Sequence, residues 1–543
     1  MAERNRKSRK IDPGKAAGLF FFLCVLVSAA AVSRFMGTDT VYYVFFPLSV
    51  CLAYLAAILF AGSSFTAQQI GARLSRSHYN DASLFYRSSL AASAVTGLLT
   101  AAVLSVFARS IAADLFTGIH AYLLLYLAGA VCLLGSVLSV MHGFLQGTGF
   151  ISVSSAAMTV HGVLSFVLMT AGARLGNRSG ISVGRLLRNT QYQPIYAAAG
   201  MLAGLLAAQL LYFLLLLILN ILVYRQMERQ MDSLAIDNDE KFFEAARYVF
   251  VKMLPAGVSA FMPQLTMLLL YRIAAGNENT ASFKAAVSVA IPVTGCLSLF
   301  VAICHTKLIT VCIADSAKGK SSRLQAHFSM FVRLYAYAAI PAAVFTFAAG
   351  KPIVRLFYGG MTTAEKKTCV SAMRSLSPLV FLLSLCILLI LFLWNRNGKL
   401  QVLISLTAGS VFCLLSAFIL SMPGAGAYAV ILPIDAGAFA AAVFLSVFSR
   451  RGLLRGLKGG WLPDVLLITF SGAAAAVPIV LMNNFMPNQA AAVPAILILG
   501  FIYVVLYVVL SLLVHAADLR NITKVPFGRL IYLAAKAMRL IAE

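Results

Sequence analysis

Fourteen mostly apolar runs, nearly all about twenty residues or longer, follow one another along this chain, at 16–36, 41–63, 87–108, 120–141, 152–173, 195–223, 249–271, 285–309, 329–349, 374–394, 400–421, 426–447, 465–484 and 489–514. About twenty residues is the length a helix needs to cross the hydrocarbon core of a bilayer. Peptide groups in hydrocarbon must bond within their own segment, so the runs read as helices. Composition agrees: 61% of the 543 residues are hydrophobic and 11% are charged, against about half and a quarter in soluble domains. The expected fold class is an all-α polytopic membrane protein of about 14 transmembrane helices.

A net charge of +25 raises the question of nucleic acid, but the distribution excludes it as a partner. The cations sit in short segments between the apolar runs, as in membrane loops, where Lys and Arg mark the cytoplasmic side. With an even number of helices both termini share one side, and the basic start Met1–Lys15 places them inside. On that orientation 28 Lys and Arg face inward and 13 outward, with Lys252 and Lys307 near inner helix ends. The expected location is a bacterial inner membrane, N-terminus and C-terminus cytoplasmic. One segment runs against the bias: 174–194, taken as an outer loop, carries Arg174, Arg178, Arg185 and Arg188. Ala29-Ala30-Ala31 has the look of a cleavage site, yet 16–36 reads as the first membrane helix and not as a removed signal.

The nine cysteines show no metal or disulfide spacing. Cys24, Cys51, Cys132, Cys296, Cys304, Cys312, Cys386 and Cys413 fall within apolar runs, and Cys369 is expected in an outer loop; all read as small apolar residues. No metal and no cofactor is expected.

The most polar connection, 225–247, contains Asp237-Asn238-Asp239-Glu240 and divides the chain. Its two sides resemble each other. Arg109-Ser-Ile-Ala-Ala-Asp-Leu-Phe-Thr-Gly118 follows the third run, and Lys351-Pro-Ile-Val-Arg-Leu-Phe-Tyr-Gly359 follows the ninth. One run later, Leu145-Gln-Gly-Thr-Gly-Phe150 corresponds to Trp394-Asn-Arg-Asn-Gly-Lys399. The reading is two six-helix lobes in parallel pseudo-repeat plus two extra C-terminal helices, the architecture of alternating-access carriers. The domains are then 1–224 (N-lobe), 225–247 (cytoplasmic linker), 248–447 (C-lobe), 448–515 (two further helices) and 516–543. In the last segment Phe527, Leu530, Ile531, Ala534, Met538 and Ile541 share a helical face, as in an interfacial amphipathic helix.

Ala67-Gln-Gln-Ile-Gly-Ala-Arg-Leu74, Gly143-Phe-Leu-Gln-Gly147, Leu254-Pro255 and Lys351-Pro-Ile-Val, in this order and spacing, resemble the multidrug/oligosaccharidyl-lipid/polysaccharide (MOP) exporter superfamily. The branch most similar is that of the polysaccharide and lipid II flippases, including the sporulation stage V protein B group. The resemblance covers most of the chain. It implies a two-lobed cavity, alternating access and export of a lipid-linked saccharide on a polyprenyl diphosphate.

A diphosphate and sugar head crossing a membrane calls for cations, Arg for bidentate phosphate contact and Lys as a point charge. Intramembrane charges are therefore the candidates. Arg34 lies in Ser33-Arg-Phe-Met-Gly37, similar to an arginine motif of the lipid II branch, although that motif lies deep in helix one and here it lies at the end. Lys252 and Arg272 bracket the seventh run; Lys284 and Lys307 bracket the eighth, and Lys284 stands where the family often has a cation. Lys307 stands where it often has proline. For these four the competing reading is snorkelling of long side chains to the headgroups. Asp435, inside the twelfth run, is the candidate for a coupling Na+ or H+, against a structural, polar-paired carboxylate. His161 and His305 read as hydrogen-bonded core imidazoles before proton relays. Pro255, Pro263, Pro292, Pro341, Pro378 and Pro433 permit helix bends.

The preferred function is an alternating-access flippase for a lipid-linked oligosaccharide or a peptidoglycan or polysaccharide precursor, a transporter and not an enzyme, acting as a monomer. A multidrug/toxin extrusion antiporter is the alternative within the superfamily; fourteen helices and basic segments favour the saccharide. A membrane glycosyltransferase or ligase would call for acidic groups in a large outer loop, and a non-transporting scaffold is the remaining reading. No Walker A motif is present, so ATP is not the direct driver.

Overall fold

The computed structural model describes residues 13–36, 39–40, 42–43, 65–115, 121–231, 241–276, 279–317, 321–357, 363–396, 398–420, 428–449, 461–485, 492–514, 523 and 528–537, and these are helices and short turns throughout. The protein is an all-α polytopic membrane protein. Eleven described helices are long and apolar enough to cross a membrane, and a twelfth span is a pair bent by 47°. The bent pair occupies the expected tenth run. A further helix, Phe242–Gly276, occupies the expected seventh. The expected run 41–63 lies almost wholly outside the described residues.

The chain divides into two compact units, Met1–Leu268 and Leu269–Glu543. In the first, α1 (Pro13–Met36), α2 (Tyr79–Val106), α3 (Ala108–Leu115), α4 (Tyr122–Gly147), α5 (Ile151–Leu186) and α6 (Tyr192–Met231) follow in order, and α7 (Phe242–Gly276) begins. α6 and α7 run into both ends of the expected linker 225–247, whose residues 232–240 lie outside the described ones. α2 packs on α4, α4 on α6, α5 on α6, and α1 on α5.

The second unit holds α8 (Thr280–Ala285), a π-helical turn Ala286–Ala290, α9 (Ile291–Ala317), α10 (Ser321–Ala348), α11 (Gly350–Phe357), α12 (Thr363–Ser375), α13 (Leu379–Trp394), α14 (Lys399–Leu420), α15 (Tyr428–Phe448), α16 (Trp461–Phe485), α17 (Ala492–Leu513) and α18 (Gly528–Ala537). Here α10 packs on α13, α13 on α15, and α14 on α15. These are the ninth, tenth, eleventh and twelfth spans, and their pairing reproduces that of the third to the sixth.

The similar segments after the third and ninth runs fold alike. Each contains a helix of eight residues, α3 and α11, and each packs on the span that follows it, α4 and α12. A second correspondence lies in the glycines. A Cβ on Gly172 of α5 would lie 2.2 Å from the carbonyl oxygen of Gly200 of α6. A Cβ on Gly409 of α14 would lie 2.7 Å from that of Gly437 of α15. In both lobes the two glycines stand 28 residues apart, 172 to 200 and 409 to 437. Lipid tails are as apolar as leucine, so helices there associate through close packing, which small residues at the contact permit.

The helices are apolar outside and mixed inside. α14 exposes Val411, Phe412, Leu415, Phe418 and Ile419 while burying Ser405, Gly409 and Cys413. Buried hydroxyls bond back to carbonyls of their own helix, as Ser154's neighbour Ser155 does to Ile151 at 2.7 Å and Thr294 to Ala290 at 2.7 Å, which satisfies them without a partner helix.

The two C-terminal spans belong to the second unit. α16 packs on α10 and α17 on α16. Arg333 of α10 meets Asp464 of α16 at 3.0 Å, Tyr337 meets Ser511 of α17 at 2.7 Å, and Tyr507 donates to the Tyr337 carbonyl at 2.8 Å. In α18, Ile531 and Tyr532 pack against the same core and Ala535 is buried; Phe527, Met538 and Ile541 of the expected amphipathic face lie outside the described residues.

Two expectations are corrected. The segment 174–194 is not a loop: α5 and α6 run through it with a turn at 187–191. Its arginines and glycines imitate loop composition, but Gly172, Gly176, Gly180 and Gly184 recur every four residues along the face of α5 that meets α6. Cys369 is likewise helical and buried, in α12.

The glycine contacts yield a stability prediction. A Cβ on Gly176 would lie 2.1 Å from the Tyr196 carbonyl oxygen, while one on Gly295 of α9 meets nothing within 4 Å. Gly176→Ala is expected to destabilise by about 1–3 kcal/mol, and Gly295→Ala to be neutral or stabilising by up to about 1 kcal/mol. Thermal unfolding of the two purified variants in one detergent checks the contrast.

Candidate functional site

The sequence candidates fall in both units. Arg34 lies in the last turn of α1, in the first unit; its side chain is outside the described residues. Lys252, also in the first unit, is exposed, with its ammonium 5.6 Å from the Tyr248 ring centroid. Arg272 and Lys307 are exposed and Lys284 is half-buried, all in the second unit.

Asp435 lies in α15, two residues before Gly437. Its Oδ1 is buried and has no hydrogen-bond partner among the described residues. A carboxylate in hydrocarbon without a donor is costly, so the polar-paired structural reading finds no support at that oxygen. α15 packs against α8, which carries Lys284, and against α12 and α13. Lys284 and Asp435 thus stand on neighbouring helices. Lys284 also closes the regular part of α8: the π-helical turn Ala286–Ala290 follows, and the Ser288 hydroxyl donates to the Lys284 carbonyl. Single π-turns inside α-helices recur at functional sites.

The first unit contains a polar cluster that sequence reasoning missed. His142 of α4 has Nδ1 3.1 Å from the Tyr212 hydroxyl of α6 and 3.0 Å from the Ser154 hydroxyl of α5. Gln146, one turn on, places its Nε2 2.9 Å from His142 Nε2. An amide N–H donating there leaves Nδ1 as the protonated nitrogen, donating to Tyr212 or Ser154. His161 of α5 lies flat between Phe21 of α1 and Tyr212, with centroids 4.6 and 4.3 Å away. Neither of its ring nitrogens has a partner among the described residues. The ring is stacked, not hydrogen-bonded as expected.

His305 of α9 matches the expectation of a hydrogen-bonded core imidazole. Its Nδ1 lies 2.8 Å from the Val301 carbonyl oxygen and its Nε2 3.1 Å from that of Leu334 in α10. A neutral imidazole donates one of these two bonds; both require the doubly protonated ring.

Lys351, the first cation of α11, lies near Arg355 and Arg374. Burial and then these two guanidiniums push its ammonium below the ordinary lysine range. Among the described residues no group of three His, Cys, Asp or Glu side chains is placed to hold a metal ion.

No family model matches the chain, and no curated protein matches it. Solved structures do. A multidrug resistance MATE family transporter of the MOP superfamily, in an inward-facing conformation, aligns with a TM-score of 0.61 at 17% identity, over 81% of this chain and 96% of that one. The lipid II flippase MurJ, in an inward closed conformation, aligns with a TM-score of 0.55 at 14% identity, over 92% of this chain and 97% of that one. The chain has the fold of the MOP superfamily transporters. A third MOP structure, from Pyrococcus furiosus Vc1 and described by a binding pocket of reversed polarity, aligns with a TM-score of 0.55 at 17% identity, over 82% of this chain and 97% of that one. The MOP match therefore takes in both units and most of the helices described above.

The His142 cluster separates two kinds of polar residue. Tyr212→Phe keeps the ring stacked on His161 and removes the hydroxyl, and is expected to cost about 0.5–1.5 kcal/mol. His161→Leu removes nitrogens that have no partner among the described residues and is expected to be neutral within about 0.5 kcal/mol or stabilising. Thermal unfolding measures both; a larger loss in His161→Leu than in Tyr212→Phe would contradict the assignment.

Proposed function

We propose that this protein is an alternating-access carrier of the MOP superfamily that moves a lipid-linked saccharide, held on a polyprenyl diphosphate, across a bacterial inner membrane with both termini cytoplasmic. The observation that carries the reading is the extent of the match. The flippase structure aligns over 92% of this chain, the MATE transporters over 81–83%. Beyond the two lobes read from the sequence stand α16 and α17, two apolar helices long enough to cross a membrane, of which α16 packs on α10, and the fourteen runs of the sequence favour the saccharide branch over drug extrusion. The basic segments point the same way, because a cation-lined path repels organic cations and attracts diphosphate.

In this reading Arg34 and Lys284 contact the diphosphate, with Arg272, Lys252 and Lys307 as further cations of the path. Asp435 binds the coupling Na+ or H+. A buried carboxylate oxygen without a donor, on a helix next to the one that carries Lys284, fits that role: a bound cation supplies the missing partner. Transport is secondary, and the protein is not an enzyme.

Reconstitution tests this. Purified protein in proteoliposomes is expected to move a fluorescent polyprenyl-diphosphate saccharide from one leaflet to the other, and Arg34→Glu and Lys284→Glu to abolish transport while the proteins still fold. Asp435→Asn is expected to keep or raise thermal stability, since it removes the charge from a buried carboxyl whose Oδ1 has no donor among the described residues, and to remove the dependence on an ion gradient. Organic-cation antiport without lipid transfer would replace the flippase by the extruder.

A further inference from the structure

α5 and α6 are longer than a membrane requires. They have 36 and 40 residues, about 54 and 60 Å at 1.5 Å per residue. The apolar part of α5 ends near Ala173. Beyond it stand residues 174–186 of α5, the turn 187–191 and the start of α6, a hairpin reaching about 20 Å past the hydrocarbon edge. The glycines hold it together. Along the arm, a Cβ on Gly176, Gly180 or Gly184 would lie 2.1–2.9 Å from backbone atoms of Tyr196, Tyr192 and Gln193, or Asn189. Toward the turn the arm is a close-packed pair of helices, and α1 packs on α5 below it.

The arm's charged residues are all cationic, set among the exposed Leu175, Leu186 and Leu187. Arg174, Arg178, Arg185 and Arg188 are all exposed, and the sequence contains no Asp or Glu between Asp114 and Glu228. Arg188 takes a φ of +51° at the turn, a region where glycine is favoured. Along its length the arm also carries groups that recognise sugars. Tyr192 and Tyr196 are half-buried with centroids 6.2 Å apart. Gln193 donates to Asn177 at 3.1 Å, and Asn189 accepts from the Gln191 amide at 2.9 Å, which orients these amides beside the arginines. Tyrosine offers an apolar face with a polar edge, carboxamides offer donor and acceptor together, and arginine pairs bidentately with carboxylate or phosphate.

We propose that this hairpin is a binding surface outside the cytoplasm for an acidic saccharide, a glycan bearing carboxylate or phosphate groups. The side rests on the orientation proposed above; the chemistry does not. A purely lipid role suits the arm poorly. The headgroup layer is about 5–8 Å deep on each side, so Arg174 and Arg178 stand within it, while Arg185 and Arg188 stand about 18–20 Å out, beyond the phosphates.

The full chain in nanodiscs of neutral lipid tests the surface with three probes: a polygalacturonate oligomer, a neutral dextran of equal length, and inorganic polyphosphate. Wild type is expected to bind polygalacturonate about tenfold or more tightly than dextran, and R185A/R188A, with an unchanged melting temperature, to lose that advantage. Tyr192→Ala is expected to weaken polygalacturonate several-fold and leave polyphosphate unchanged. Equal binding of the two glycans, an undiminished R185A/R188A variant, or a Tyr192→Ala variant that weakens neither probe would each overturn the proposal. Ser182→Cys, on the arm, is expected to react with an impermeant maleimide in intact cells. Reaction only after permeabilisation would overturn the placement outside, whatever the result of the flux assay.

Discussion

A peptide group stripped of water and left without a partner costs several kcal/mol, and in hydrocarbon no solvent bond replaces it. That constraint turns every apolar run of this chain into a helix, and it removes the hydrophobic effect as the force joining helix to helix. Association then depends on how closely two backbones approach, and the two lobes solve this in the same way. Gly172 meets Gly200 and Gly409 meets Gly437 at carbonyl distances that leave no room for a Cβ. Around these contacts many buried hydroxyls bond within their own helix, and large apolar residues line both the core and the outer faces.

Much of this was legible in the sequence. Run length gave the spans, and the Arg109 and Lys351 segments marked a duplication that appears as the matching helices α3 and α11. The length of α5 and α6 was hidden because arginine, glycine and asparagine signal a loop by composition, while the four-residue repeat of glycine that makes a helix pair is a matter of register. The His142 cluster was hidden for a different reason. Its partners Ser154 and Tyr212 stand 12 and 70 residues away, and no local pattern announces such a meeting. His161, by contrast, was noticed, but a stacking role between two aromatic rings is set by neighbours on α1 and α6 and cannot be read from a span.

The candidate site is less legible than the fold. Charges near helix ends serve a transported diphosphate and a snorkelling anchor with the same residue types, so sequence alone ranks Arg34, Lys252, Arg272, Lys284 and Lys307 without separating the two. Structure adds discrimination at Asp435 and Lys284. One carries a buried oxygen lacking a donor, the other precedes a π-turn, and the two stand on helices that pack together. The proposed ion coupling thereby has one definite carboxylate to test.

In the proposed function the two lobes exchange between conformations under the control of a lipid-linked saccharide. Spin labels, one in each lobe, report this directly by pulsed electron resonance in nanodiscs. Two distance populations are expected, with a balance that shifts when a polyprenyl-diphosphate saccharide is added and does not shift with the sugar-free, diphosphate-free polyprenol. A single distribution, indifferent to the lipid and to the ion gradient, would contradict it.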